Sequence, residues 1–302
     1  MSDTKEEFLK LISTIMNNNF DLKKLYPNSE SLEVLLEQIK DLKNALDSFR
    51  PLQGEHIEKL NQYFDEVYTF DSTGIEGNTL TLQETALVLN KGVTIGGKSL
   101  REHFEVINHK EAIDYIKDLV KQKEPISKSV LLDIHHLILK NIDLDNAGRY
   151  RNVDVMISGS SHKPPTFLQV ESLMEEYFNF YEENKEMLNP VRLSADMHEK
   201  LVTIHPFSDG NGRTSRLVMN LILLQNGFPI TNISSQNELR DEYYKSLEVA
   251  QIEDNKELFY QFIARNVKES LIKYLEIISV NAEENTKGEY FYKRVIELTK
   301  ED

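Results

Sequence analysis

The 302-residue chain has no cysteine, so a disulfide framework, a thiol nucleophile and a thiolate metal site are all excluded. Positive charge is in short supply. Against 50 Asp and Glu stand only 35 Lys and Arg, a net charge of −15. That balance argues against a general nucleic-acid surface and against binding to an anionic membrane, but it says nothing against a protein partner. Long hydrophobic runs are missing as well. The longest apolar stretch, around Leu217 to Leu224, falls far short of the ~20 residues that span a bilayer. The opening residues, Met1-Ser2-Asp3-Thr4-Lys5-Glu6-Glu7, are acidic and lack the basic-then-apolar order of a signal peptide, so the expected location is cytoplasmic. At 35.1 kDa the chain is large enough for one large domain or two modest ones.

What is present is mostly helical periodicity. Residues 1–50 carry amphipathic segments (Phe8, Leu9, Leu11, Ile12, then Leu32, Leu35, Leu36, Ile39, Leu42) interrupted near Pro27. Ile57, Leu60, Phe64, Val67 and Tyr68 recur at helical spacing, and that helix closes at Gly77-Asn78. Thr81-Leu82-Gln83-Glu84 reads as a capping box opening another helix. Further helices are expected over 100–121, 130–142, 168–181, 191–204, 213–225, 239–250 and 258–280, with 281–302 as a peripheral helix or frayed tail. One segment departs from this pattern. Val153, Val155 and Ile157 alternate with Asn152, Asp154 and Met156 before Ser158-Gly159-Ser160-Ser161 turns the chain toward Pro164-Pro165, which predicts a short β-hairpin. The predicted fold class is therefore mostly α, a helical core with added N-terminal helices and one short hairpin.

The chemistry concentrates in one run, His205-Pro206-Phe207-Ser208-Asp209-Gly210-Asn211-Gly212-Arg213-Thr214-Ser215-Arg216. Pro206 and the glycines at 210 and 212 make residues 207–212 a loop, and the loop feeds a helix whose free N–H groups and positive dipole end suit an anion. Arg213 and Arg216, three apart, share a helix face and can both reach phosphate oxygens. Asp209 lies where a hard cation bridging those phosphates would need a carboxylate. His205 alone in this run has an ordinary pKa suited to taking a proton near neutrality. Together these parts make a triphosphate cradle with a general base at its lip. A competing pattern, Gly92-Val93-Thr94-Ile95-Gly96-Gly97-Lys98-Ser99, satisfies the P-loop spacing but follows a capped helix instead of a buried strand, and is set aside. The adjacent His135 and His136, His198 beside Glu199, and His162 near the turn show no chelating spacing and read as structural.

The run resembles the core motif of the Fic family, His-Pro-Phe-x-Asp/Glu-Gly-Asn-Gly-Arg-x-x-Arg, at every defined position, and the similarity extends from about Asp71 to Arg265. The resemblance implies transfer of AMP from ATP, with Mg²⁺ as cofactor, to a hydroxyl side chain of a protein substrate. His205 would deprotonate the target Ser, Thr or Tyr, and Asp209 would hold Mg²⁺. Gly210, Asn211 and Gly212 would form the anion hole, Arg213 would steady the phosphates, Arg216 would grip the γ-phosphate, and a buried Phe207 would anchor the loop. A second string, Ser72-Thr73-Gly74-Ile75-Glu76-Gly77-Asn78, is similar to the family's inhibitory motif. There Glu76 would pair with Arg216, beside Ser72, and keep ATP from orienting productively.

In the same resemblance the hairpin is the flap, with Val155, Met156, Ile157, Ser158 and Gly159 docking the target by main-chain pairing. Tyr243 and Tyr244 either line the adenine pocket or are amphipathic residues at the edge of the core. The implied organisation is an N-terminal helical extension over 1–54, an inhibitory helix with its following segment over 55–99, a catalytic domain over 100–268, and a C-terminal helix or tail over 269–302. Two rivals stay open: the same scaffold removing AMP or using another nucleotide donor, and a non-catalytic module regulated by nucleotide. The target protein is not legible. Control by assembly into a homo-oligomer is an open expectation.

Overall fold

The computed structural model describes residues 21–280 and 287–301, so the segment with Phe8, Leu9, Leu11 and Ile12 lies outside the described residues. The described helices are α1 (Leu22–Leu25), α2 (Leu32–Asp47), α3 (Glu55–Ile75), α4 (Leu82–Lys91), α5 (Leu100–Gln122), α6 (Lys128–Leu139), α7 (Val170–Asn184), α8 (Pro190–Ile204), α9 (Asn211–Gln225), α10 (Asn237–Ile252), α11 (Glu257–Val280) and α12 (Glu289–Glu301). Among the described residues no helix is long and apolar enough to cross a membrane. The chain divides into two compact units: residues 62–263, and the described residues up to Asn61 together with those from Ala264 onward. In the latter, Phe49 packs its ring against Phe291 and Tyr292. Asp41 there accepts hydrogen bonds from the hydroxyls of Tyr26 and Tyr290 and from Arg294 Nε.

The 62–263 unit is built around α9. A helix that is apolar on nearly every side must be surrounded, and Leu217, Val218, Leu221 and Ile222 are all buried in a core shared with Ile113 and Ile116 of α5, Ile134 and Ile138 of α6, and Leu193, Met197 and Leu201 of α8. The polar side chains of α9 from Asn211 to Asn220, including Arg213 and Arg216, are buried along with them. The core thus carries charge at the N-terminal end of its central helix and hydrocarbon along the rest.

The capping box expected at Thr81 is present, with Thr81 Oγ1 accepting from Glu84 N and Glu84 accepting from Thr81 N. The P-loop look-alike has a structural use. Gly92 is the left-handed C-cap of α4, Lys98 Nζ donates to the carbonyl of Thr79, and Ser99 is the N-cap of α5.

The expected β-hairpin is not formed, and no strand occurs among the described residues. A turn is there: Ser160 N–H donates to Ile157 O at 3.3 Å, and Gly159 takes φ +76°. Its arms do not pair as a ladder. Pro164 and Pro165 have no N–H to give, and the arms are instead tied by one side chain. Arg151 donates to Val153 O on one arm (3.0 Å), to Pro165 O on the other (2.5 Å), and to His205 O (2.8 Å). Alternation of apolar residues pointed to a pairing that the segment lacks the donors to complete.

The end of α3 is fixed by Asp71, which is 6% exposed and accepts from Ser235 N, Ser235 Oγ and Asn232 Nδ2 at 2.6–2.7 Å. Removing a buried carboxylate that serves three donors costs about 3 kcal/mol. Asp71→Ala is therefore expected to lower unfolding free energy in urea by about that amount, whereas a loss within error would show that these bonds do not hold the helix end.

Candidate active site

Residues 72–78 end α3 in a Schellman turn. Gly77 takes φ +99°, its N–H donates to Gly74 O, and Asn78 N–H reaches back to Thr73 O. A left-handed residue is required at that step, which glycine meets without a Cβ penalty. The turn leaves Glu76 as the last residue before the reversal, with its side chain directed at α9. Glu76 Oε1 lies 2.7 Å from Arg216 Nη2. Ser72 adds two acceptors to the same guanidinium, its hydroxyl to Nε at 3.0 Å and its carbonyl to Nη2 at 2.8 Å. Arg216 is 1% exposed. Burial disfavours its charge, and Glu76 followed by Tyr243 outweighs that, so its pKa stays above the ordinary arginine value.

Gly212 is part of the same contact, because a Cβ there would sit 2.3 Å from Glu76 Oε1. The carboxylate therefore lies against the first turn of α9. The first backbone N–H to close a helical bond in α9 is that of Thr214, onto Gly210 O. The N–H groups of Asn211, Gly212 and Arg213 stand outside the helix ladder, as the first turn of any helix requires. The Asn211 side chain points elsewhere: it accepts from Phe207 N (3.0 Å) and donates to Phe207 O (2.8 Å), closing the loop on itself. Phe207 is fully buried and stacks on His135, with ring centroids 3.6 Å apart.

His205 caps α8 in the left-handed region, φ 52° and ψ 56°. A non-glycine residue there costs on the order of 1 kcal/mol, and such strain collects at functional positions. Its Nδ1 is 3.2 Å from Val202 O. A carbonyl can only accept, so Nδ1 carries the hydrogen and Nε2 keeps its lone pair. Burial, with Arg151 and His162 adding to it, holds the imidazole below the ordinary histidine pKa even against the Val202 bond. The ring is thus a neutral base at pH 7.

Asp209 is the loop's one carboxylate. Burial would raise its pKa, but Arg213, the Gly210 N–H and Arg101 outweigh that and keep it ionised. Its Oδ1 accepts from Gly210 N (2.6 Å) and Arg213 Nη2 (3.1 Å), and its Oδ2 accepts from Arg101 Nη2 (2.8 Å). Its carbonyl receives His135 Nε2–H at 2.9 Å, while His135 Nδ1 accepts from Gly148 N at 3.0 Å.

Among the described residues no cluster of three or more His, Asp or Glu is set to hold a metal. An ion carried in on phosphates needs only one or two protein carboxylates, and Asp209 beside the open end of α9 fits that demand.

The two tyrosines part company. Tyr243 is 1% exposed, with its hydroxyl 2.8 Å from His198 Nε2 and 3.5 Å from Arg216 Nη1, so its polar tip faces the arginine. Tyr244 is 46% exposed and donates to Ile75 O at 3.2 Å, beside the helix end that bears Glu76. The flap residues differ again: Met156 is 95% exposed, Val155 and Ile157 are half-buried, and Arg151 ties the arms flanking the Ser158-Gly159 turn to His205 O.

The sequence reading missed the roles of Arg101, Arg151, His135 and His198 at this site. Each acts through a contact between residues far apart in the chain, which spacing does not reveal. His135 and His198 are structural, as expected, but they are structural to the site itself.

Comparison with known proteins follows the same lines. The Fic/DOC family model matches residues 125–223, which include the whole run from His205 to Arg216. A solved structure of Fic-1 from Caenorhabditis elegans superposes with a TM-score of 0.74 at 32% identity, covering 83% of this chain and 73% of that one. The chain belongs to the Fic/DOC family. A Fic-domain signaling protein from Bacteroides thetaiotaomicron superposes with a TM-score of 0.72 at 28% identity, covering 81% of this chain and 97% of that one. Among curated proteins, protein adenylyltransferase fic-1 of C. elegans is 34% identical over 254 residues, or 82% of this chain and 48% of its own length. Protein adenylyltransferase Fic of Nematostella vectensis is 38% identical over 215 residues, or 70% of this chain and 49% of its own length. The Fic chain described here thus spans about half the length of the curated relatives it matches.

His135 and His198 also set a pH signature for this Fic fold. Burial pushes them down to about 4 and about 3, so both are neutral in the fold. Unfolded, each protonates near 6.5. Their contribution is therefore present above pH 6.5 and lost as pH falls toward 4. Between pH 6 and pH 5 the unfolding free energy should drop by about 2–3 kcal/mol from this pair, read by urea titration at each pH. A flat profile would mean that the two rings are charged in the fold.

Proposed function

We propose that the chain is an autoinhibited protein adenylyltransferase, moving AMP from ATP to a Ser, Thr or Tyr hydroxyl of a protein target. The observation that carries the reading is the Glu76–Arg216 pair at the open N-terminus of α9, with a neutral base, His205, at the loop's entry. The relatives' names, protein adenylyltransferase, favour the same chemistry.

In the transfer, the target oxygen attacks the α-phosphorus of ATP, the bond from that phosphorus to the bridging oxygen breaks, and pyrophosphate leaves. The hydroxyl proton passes to His205 Nε2, the nitrogen with the free lone pair. The N–H groups of Asn211, Gly212 and Arg213 face the phosphate oxygens, and the Arg213 Nε and Nη1, buried without partners in this conformation, are donors ready for the same anion. Asp209 is the residue to hold a nucleotide-borne Mg²⁺, which when bound would offset phosphate charge. The turn at Val155-Met156-Ile157-Ser158-Gly159, whose arms are not laddered to each other, leaves backbone groups for an extended target segment.

Autoinhibition follows from charge. The Glu76 carboxylate and a γ-phosphate are both anions, and Arg216 cannot serve both at once. While Glu76 holds it, the γ-phosphate lacks its anchor, and misplacing the α-phosphate by about 1 Å can cost ~100-fold in rate.

The reading is tested with ATP labelled at the α-phosphate. Label on protein should be weak with the native chain, rise at least ~10-fold in Glu76→Gly as Arg216 is freed, and fall by ~10²–10⁴ from that level when His205→Ala is added. Equal labelling by native and Glu76→Gly proteins would remove the inhibitory role. No label in any variant, with ATP still bound, would turn attention to another donor or to removal of AMP from a modified protein.

A further inference from the structure

Asp209 already has a cation, and it is one of the protein's own. Its two oxygens are used differently. Oδ1 serves the neighbouring Gly210 N–H and Arg213 Nη2 within the loop and helix that form the site. Oδ2 is bound by Arg101 Nη2, from the start of α5, 108 positions away in the chain. Arg101 has no structural duty in the core, since its side chain is 58% exposed. Nor is it held by Asp209 alone. Its Nε donates to Glu105 Oε1 at 3.2 Å, and Glu105 is in turn braced by Asn78 Nδ2, 2.9 Å from Oε2. Glu105 is 13% exposed at its side chain and fixed from behind, so it offers the guanidinium a second carboxylate one helical turn along the same face.

We propose that Arg101 is a resident counter-cation of Asp209, displaced onto Glu105 when a divalent cation arrives on the nucleotide. The proposal rests on the reading of Asp209 as the residue that meets that cation. Two positive groups cannot share one carboxylate oxygen at hydrogen-bonding distance without strong repulsion, so occupancy of Oδ2 is exclusive. Displacement is cheap, because the contact is exposed to water and the guanidinium keeps its bond to Glu105 as it leaves. In the resting state Arg101 lowers the cost of holding an ionised Asp209 beside a half-empty anion site. It also competes with the metal. The competition is bounded by what an exposed ion pair contributes, a factor of up to about fivefold.

The experiment measures ATP affinity by calorimetry, once with saturating Mg²⁺ and once with EDTA, in a Glu76→Gly/His205→Ala background where ATP is not consumed. The ratio of the two dissociation constants reports the benefit conferred by the metal. Arg101→Ala, at an exposed position that folding does not depend on, should increase that ratio about three- to fivefold, with the Mg²⁺ arm itself tightened because the ion no longer has to displace a guanidinium. A ratio that stays the same overturns the proposal. A weakening in both arms overturns it differently, by showing that Arg101 grips phosphate directly. Asp209→Ala in the same background separates the two layers: it should bring the ratio close to one. If Asp209→Ala keeps the parental ratio, the metal reading of Asp209 is what has failed.

Discussion

Arg216 is a permanent positive charge placed where water cannot reach it, and the rest of the site is arranged around that fact. A guanidinium at 1% exposure must be matched by acceptors, because an unpaired buried ion costs several kcal/mol. The fold supplies them from two directions. Ser72 and Glu76 come from the end of α3, and the Tyr243 hydroxyl comes from α10, itself bound to His198 on α8. Only Glu76 among them is both charged and partly open to solvent, with a side chain 34% exposed. It is the replaceable member of the set. If it withdraws, another anion has to take its place, and an anion arriving at the open end of α9 meets free N–H groups and Arg213 as well. Under the proposed function, Glu76 and phosphate are therefore alternative solutions to one electrostatic requirement, and a single side chain is enough to control the site.

The neighbouring histidines show the other side of this constraint. His109, His135 and His198 are buried close to Arg213 or Arg216, and each is pushed below its ordinary pKa, by burial first and by those arginines next where they act. None adds a charge to a region already positive. They work as neutral struts: His198 holds the Tyr243 hydroxyl, and His135 holds the carbonyl of Asp209 while its ring supports Phe207. His205 is also held below its ordinary pKa, by burial first, but for a different use, since its Nε2 keeps a free lone pair. One physical cause, desolvation beside fixed cations, yields both rigidity and a base.

The legibility of the sequence follows the range of the interactions. The run from His205 to Arg216 could be read because its parts act within one loop and one helix turn, where spacing fixes geometry. The close of α3 at Gly77-Asn78 could be read for the same reason: a Schellman turn is made by its own backbone. The hairpin failed at the point where pairing depends on donors that Pro164 and Pro165 do not have, and where Arg151, buried at its side chain, ties the arms in place of a ladder. Tyr243 and Tyr244 are adjacent and chemically identical, yet one is buried with its hydroxyl toward Arg216 and the other half exposed beside Ile75. Which of two neighbours faces the core is settled by packing that no local pattern records. Arg101 was invisible because its partner is 108 residues away.

In this conformation two of the site's charges are matched by the protein's own side chains. Asp209, an anion, holds Arg101, and Arg216, a cation, holds Glu76. Under the proposed function the incoming species carries both signs, phosphate oxygens and a bound Mg²⁺, and so matches both pairs at once. Neither half of the exchange is favourable alone. Phosphate without metal would face Asp209 directly across the loop, and metal without phosphate would meet Arg213 and Arg101 together. Arrival of the two as one complex replaces each internal pair by an external one of the same sign pattern, so that no charge is left buried and uncompensated. Under that proposal the site discriminates against free nucleotide and free cation through electrostatics, before any shape is tested.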